Sequence, residues 1–179
     1  KGYKNYILSF DDCRLPEAQV LGDVDGGFAV MNEWLYATRI TVATMSVGRA
    51  RRCFDMALNY AAERKQFGQP ISKFQALQHT MADMYLKVEE TRSLLLNAAI
   101  ALDEGSPESS AACAGLKVKV SEAGMFVAKQ AVQLHGGIGM TDELSVGHHY
   151  KRLMILARLY GDEMYYLQKY ADLAAVRAA

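Results

Sequence analysis

The chain has no net charge to offer. Its 179 residues carry 20 Lys plus Arg against 20 Asp plus Glu, so no overall field draws it toward nucleic acid or an acidic membrane surface. Arg49, Arg51 and Arg52 form a local basic cluster. No aromatic-lined basic stripe accompanies it, and nucleic-acid binding is not expected. Paired cysteines are missing too. Cys13, Cys53 and Cys113 are far apart, odd in number and without a CxxC, so neither a zinc ribbon nor a disulfide framework is indicated. Free thiols fit a reducing interior, cytoplasm or mitochondrial matrix. No apolar run approaches the 18 or so residues that a membrane span needs. No secretory leader is visible. The chain opens on Lys1 and enters a strand-like segment at once, so the expectation is a piece of a longer polypeptide.

Several chemistries are missing as well. No Glu-x-x-His occurs, and a ferritin-like di-iron site needs that spacing on two helices. His79, His135, His148 and His149 show no HExxH or other metal spacing. The adjacent His148 and His149 point in different directions on a helix and read as surface or rim residues. There is no GxSxG nucleophile elbow and no phosphate-cradling GxxxxGK[ST]. "GGIG" at 136–139 is not GxGxxG, and no strand precedes it, so a Rossmann reading fails.

What is present is helix. The length suits about one domain with a self-sufficient core. Residues 6–10, "YILSF", alternate and predict a short strand. "DDCRLP" turns the chain, and "LGDVDGG" at 21–27 is a loop. A first helix is predicted over about 27–63, with Met31, Leu35, Thr38, Val42, Met45 and Arg49 on one stripe. It ends in "AERKQFGQP", where Gly68 and Pro70 stop it. A second, over about 72–104, carries Phe74, Leu77, Met81, Met84, Val88, Thr91, Leu95, Ala98 and Leu102 in steps of three and four. That is the seam of a bundle helix. Ser106 is a predicted N-cap and Pro107 a first helical residue for a third helix, to about 135. Its stripe is Cys113, Leu116, Val120, Ala123, Val127, Ala131 and Leu134. A shorter helix through 146–160 and a last one after Gly161 complete the chain. Helices of this length span about 40 Å, and short connections between them predict an all-α, up-and-down four-helix bundle. The domain division predicted is 1–22, the end of a preceding β-domain with its linker, and 23–179, the helical bundle.

Two loops at helix ends stand out from the packing pattern: "ERKQFGQPISKFQ" at 63–75 and "QLHGGIG" at 133–139. Both mix fixed cations, amides and bare backbone, and the first offers an aromatic face. Arg takes phosphate in a planar fork, glycines admit close backbone N–H groups, and Phe offers a face to a ring. From the residues alone two readings stand: a phosphate-bearing flat ligand, or a capping loop and a helix stop.

"YAAERKQFGQPISKFQALQHTMADM" closely resembles the sequence that follows the first helix of the C-terminal domain in acyl-CoA dehydrogenases. "AVQLHGGIGMTDELSVGHHYKRLMIL" resembles the second signature of that family, and "SFDDCRLPEAQVLGDVDGGF" its junction from middle β-domain to helical domain. The resemblance covers nearly the whole chain. It implies FAD, an acyl-CoA thioester substrate in fatty acid metabolism, electron-transferring flavoprotein as acceptor, and a homo-dimer, tetramer or hetero-oligomer. It implies that the isolated C-terminal domain is inactive. Carried over by position, Arg64 approaches the FAD pyrophosphate and Gln66 and Phe67 line that pocket. Gln75 contacts the adenosine end, and Gln133 with the backbone at Gly136 and Gly137 completes it. Arg39, in "YATRI", matches an arginine near the substrate entrance.

The family's base is a Glu. Most members place it before a Gly-Thr between the last two helices, where this chain has Tyr160 before Gly161. A minority place it just before the arginine matching Arg39, where this chain has Thr38. Three readings remain open at this stage. Asp162 or Glu163 acts from a shifted loop; the chain is a partner subunit that completes another chain's flavin site; or Glu33 reaches in from one turn earlier.

Overall fold

The computed structural model describes residues 6–178, leaving aside the side chains of Glu33, Tyr36 and 176–178. The chain divides into two compact units, residues 1–35 and 36–179. In the first, residues 6–26 are irregular and almost wholly exposed, with one 3-10 turn at Glu17–Gln19. The strand predicted over 6–10 does not form. Tyr6, Leu8 and Phe10 are all at least three-quarters exposed, and no strand pairs with them among the described residues. Alternation makes a strand only where a ladder partner and a face to bury are supplied. Helix α1, Gly27–Glu63, begins in this unit, and its bounds match the prediction.

The second unit holds the bundle. After α1 come a two-residue strand β1 (Lys65–Gln66), its antiparallel partner β2 (Gln69–Pro70) and a 3-10 turn at Ile71–Lys73. Then follow α2 (Gln75–Asp103), α3 (Ser109–His135), a 3-10 turn at Gly136–Met140, α4 (Ser145–Arg158) and α5 (Glu163–Ala178). This is the all-α class expected, with the fourth bundle position filled by two helices that both pack on α3. The break between them is made by backbone: Tyr160 has φ +61° and Gly161 φ +113°, and neither continues a right-handed helix.

Seam residues of α2 and α3 go where their spacing sends them. Met81, Met84, Val88, Thr91 and Ala98 are buried on α2, and all seven stripe residues of α3 are buried. The α1 stripe is borne out only in part. Val42 is buried as predicted and Met31 is exposed, while the rest of the buried line within the bundle is Ala43, Val47, Ala50, Phe54, Ala57 and Ala61, with Cys53 beside it. Small residues let α1 approach its neighbours, and the larger stripe residues sit on its flank. Ser106 does not cap α3 as predicted. Its Oγ accepts the amide of Glu108 at 3.2 Å, two residues on, and the helix starts at Ser109. A serine hydroxyl turned to its own local backbone is the usual competitor of a cap.

Lys117 is the unexpected core residue. It lies fully buried on α3, and its Nζ donates to the carbonyls of Leu156 and Ala157, each at 2.9 Å. Those carbonyls end α4, where the helix dipole favours a cation. Ser121 Oγ donates to Lys117 O at 2.8 Å and to Ala157 O at 3.4 Å. Burial pulls the Lys117 amine down to about 8, against the opposing pull of Asp162.

Candidate functional site: two helix-end loops and a strained break

The structure gathers the two odd loops at one end of the second unit. The Tyr60 ring near the end of α1 lies 4.5 Å from the His135 ring at the end of α3. His135 is buried, its Nδ1 2.7 Å from the Ala131 carbonyl. A carbonyl only accepts, so Nδ1 carries the proton. Ile71 and Leu77 below the first loop and Leu134 before the second belong to the same apolar cluster.

The first loop is a hairpin in which Lys65 faces Pro70 and Gln66 faces Gln69. Its two-residue turn is Phe67 at φ +52° and Gly68 at φ +81°. Positive φ at both central residues is the type I′ turn, which suits Asn or Gly and strains Phe. Phe67 is nonetheless 91% exposed, touching Phe74 edge-on at 6.1 Å. A strained backbone thus displays a large ring to open space. Beside it Arg64, Gln66 and Gln75 are exposed. Arg64 has no carboxylate within ion-pair distance among the described residues, and its backbone is fixed instead, by Arg64 N–H to Tyr60 O and Ile71 N–H to Arg64 O, both 2.8 Å.

The second loop answers why glycines follow Gln133, and each has its own reason. Gly136 has φ +64° and ψ −143°, a conformation that side chains disfavour. Gly139 is buried, and a Cβ there would meet Val132 O at 2.7 Å. Gly137 needs neither excuse, because a Cβ there would touch nothing within 4 Å. Gln133, Gly136 and Gly137 face outward, as do the hairpin residues. An outward ring, a fixed cation, amides and bare backbone fit a flat, phosphate-bearing group such as a flavin dinucleotide.

Arg39 belongs elsewhere. It lies 25 residues before Arg64 on α1 or about 37 Å along the axis. It is buried, and its Nε donates to Tyr166 OH at 2.7 Å, while that hydroxyl donates to Tyr160 O at 2.6 Å. The guanidinium also lies 5.8 Å from the Tyr166 ring centroid. Arg39 is therefore tied through Tyr166 to the break between α4 and α5. Tyr166 and Lys117 both hold that break, and neither is singled out by a sequence motif.

Asp162 and Glu163 sit at the same break, both exposed. Asp162 Oδ1 accepts the Tyr165 amide at 2.9 Å and so caps α5. With Ser121, Glu122, Lys129 and Arg158, and with Met125, Ala157 and Met164, the two acids line an open cleft of about 510 Å³. The Lys87 ammonium, 2.7 Å from Glu122, holds that carboxyl below its usual range. The cleft is lined by charges of both signs and by apolar side chains. Thr38, on the same stretch of α1 as Arg39, is half-buried. The Glu33 side chain lies outside the described residues.

Among the described residues no three His, Cys, Asp or Glu gather to hold a metal, and no helix is long and apolar enough to cross a membrane. Cys13 is exposed, while Cys53 and Cys113 are buried thiols that burial pushes up, Cys53 to about 12.

Comparison with known proteins places this geometry. The family model for the acyl-CoA dehydrogenase C-terminal domain matches residues 25–170. Human mitochondrial short-chain specific acyl-CoA dehydrogenase is 36% identical over 151 residues, covering 84% of this chain and 36% of its own. Butyryl-CoA dehydrogenase from Megasphaera elsdenii superposes with a TM-score of 0.87 at 31% identity, covering 93% of this chain and 43% of that one. PigA, solved with FAD and proline, superposes at 0.86 and 27% identity, covering 94% and 44%. The chain spans less than two fifths of the length of the curated relatives it matches. Relatives thus occur in bacteria and in mitochondria, and a relative of the same fold carries FAD. The chain belongs to the acyl-CoA dehydrogenase family of flavoprotein oxidoreductases, within which it corresponds to the C-terminal helical domain.

Proposed function

We propose that the protein carrying this chain dehydrogenates an acyl-CoA thioester between its α and β carbons with bound FAD, passing electrons to electron-transferring flavoprotein. Residues 23–179 are its helical domain, and residues 1–22 are the end of a β-domain with its linker. The chain acts in cytoplasm or mitochondrial matrix. The observation that carries the reading is the open, outward set Arg64, Gln66, Phe67, Gln75, Gln133, Gly136 and Gly137 at one end of the bundle. Arg64 supplies a fixed charge for pyrophosphate, and Phe67 and the two glutamines flank the adenosine end. Gly136 and Gly137 leave backbone bare beside it. When bound, the flavin supplies a hydride acceptor for the β carbon.

The second set, Arg39, Tyr160, Asp162 and Tyr166, lies about 37 Å away along α1. A dinucleotide is shorter than that. One flavin in touch with both sets takes them from two polypeptides, which supports a dimer or larger oligomer. At that second end the reaction needs a base within about 3 Å of the α-proton. Asp162 and Glu163 are the carboxylates at the break that could remove it, Asp162 with one oxygen already spent on the α5 cap. The comparisons do not favour a partner subunit without chemistry of its own.

The test is flavin bleaching by the complete protein, given a panel of CoA thioesters and no second chain. Bleaching by at least one thioester is expected. A complete protein that emerges without flavin and takes none up overturns the reading. Asp162→Asn abolishes bleaching with FAD retained if Asp162 is the base, and Glu163→Gln tests its neighbour in the same way.

A further inference from the structure

The flavin reading leaves two sequence features unused, the basic run at 49–52 and the histidine pair at 148–149. The structure joins them. Arg49 is half-buried on α1, and its Nη1 lies 3.3 Å from Nδ1 of His149 on α4. A guanidinium only donates, so Nδ1 is the acceptor and the neutral ring holds its proton on Nε2. Arg52 follows one turn after Arg49 and is exposed.

Arg51, between them, shows what a structurally satisfied arginine looks like here. It pairs with Asp55 at 2.9 Å and Glu89 at 3.2 Å. Among the described residues neither Arg49 nor Arg52 has a carboxylate partner. The charges acting on His149 are Arg49 and Arg52 from α1 and His148 beside it on α4, all of one sign, and with burial they hold its pKa below the usual imidazole range. Lys151 and Arg152 follow on α4, and Lys151 reaches back to Asp142 at 3.2 Å.

We propose that Arg49, Arg52 and His149 form a binding site for a phosphate-type oxyanion between α1 and α4. Arg49 and Arg52, one turn apart on α1, and the Nε2–H of His149 are donors of the kind that the free oxygens of a phosphate group accept. Two neighbouring guanidiniums without a carboxylate partner among the described residues repel one another unless an anion offsets them. Arg49 precedes Arg64 of the dinucleotide hairpin by 15 residues or about 22 Å of helix. The site stands independently of the flavin reading.

An arriving anion favours the charged imidazole and raises the His149 pKa from its lowered position. Binding therefore takes up a proton and tightens as pH falls.

The experiment is calorimetric titration of the complete protein at low ionic strength with inorganic sulfate, a tetrahedral oxyanion that does not itself titrate between pH 6 and pH 8, in two buffers of different ionisation enthalpy. One saturable site per chain is expected, binding about threefold or more tighter at pH 6 than at pH 8, with measurable proton uptake. Arg52→Gln weakens it by about tenfold, the loss of one charge-assisted contact. His149→Gln keeps weaker binding but loses both proton uptake and pH dependence. Arg51→Gln, whose charge is already neutralised, stays within about twofold. Circular dichroism melts confirm that each variant folds, and exposed Arg52 gives a variant free of core damage. No saturable heat in the wild type overturns the proposal. So does an Arg51→Gln loss equal to that of Arg52→Gln, which reports net charge alone. Acetate binding as tightly as sulfate overturns the assignment of the anion.

Discussion

Gly137 and Gly161 lie at opposite ends of the bundle, and their surroundings are opposite too. At Gly161 a Cβ would meet Tyr165 Cδ1 and Tyr166 Cε2 at 2.8 Å, and the backbone sits at φ +113°. At Gly137 a Cβ would meet nothing. The first glycine is required by the chain's own packing, whereas nothing in that packing requires the second. The same contrast runs through the neighbours. Near Gly161 two cations are buried, Lys117 donating to the α4 carbonyls and Arg39 to Tyr166, while Asp162 and Glu163 are exposed. At the Gly137 end Arg64, Gln66 and Gln133 are displayed, and Phe67 holds an unfavourable turn position while 91% exposed. One end is packed against itself, and the other is the end to which the proposed function assigns the dinucleotide.

The largest effect expected from breaking the first end is Gly161→Val. It adds a clash with two rings to a backbone that side chains avoid, at a cost of about 2–4 kcal/mol. Urea denaturation checks it through a lowered midpoint at unchanged slope. A midpoint equal to the wild type would mean that the Tyr160–Gly161 break yields easily and holds nothing in place.

Lys117 gives the same end a pH signature. Its amine has a pKa of about 8 when folded against an ordinary 10.5. Between those values the unfolded chain keeps a proton that the folded chain has released, so this group's contribution to stability rises with pH. Below about 8 both states hold the proton and the full penalty for a buried charge applies. The neutral amine still has two hydrogens for the Leu156 and Ala157 carbonyls. Relative to Lys117→Met, the wild type gains on the order of 1–3 kcal/mol from pH 8 to 10. Denaturation of both proteins at the two pH values measures it, and parallel curves refute it.

Much of this contrast was legible beforehand. The all-α class, the bounds of α1 and the seams of α2 and α3 follow from spacing, because side chains three and four apart share a face whatever the tertiary context. The hairpin and glycine loops were legible as anomalies. Lys117 was not, since lysine reads as surface, yet it falls four after Cys113 and three before Val120 on the buried stripe. That placement was the available signal. Tyr166 carried none, because its role depends on a contact with Arg39, 127 residues away. The strand predicted over 6–10 does not form for a related reason: no ladder partner lies among the described residues, and alternation cannot supply one. Ser106 failed as a cap because local hydroxyl-to-amide bonding competes at short range, and composition does not resolve which wins.

At the displayed end, Phe67→Gly separates fold from function. Glycine adopts φ +52° without strain, so the bundle gains about 1 kcal/mol. The complete protein nevertheless loses the ring beside its dinucleotide and retains less FAD through gel filtration. Destabilisation together with full FAD retention would reverse the assignment and make Phe67 a packing residue.

Gly137→Ala is the smallest perturbation and the sharpest. The methyl meets no atom of the chain, and Gly137 is not among the positive-φ glycines. Stability should therefore move by less than about 0.5 kcal/mol, with a slight gain from the stiffer unfolded chain. One carbon is enough to crowd a group lying against bare backbone, and FAD retention in the complete protein should fall while the melting curve stays in place. Flavin content and denaturation midpoint measured on one preparation make the test internal. If the flavin stays bound at wild-type stoichiometry, the space beside Gly137 is only solvent, and the glycine there ends a helix and does nothing more.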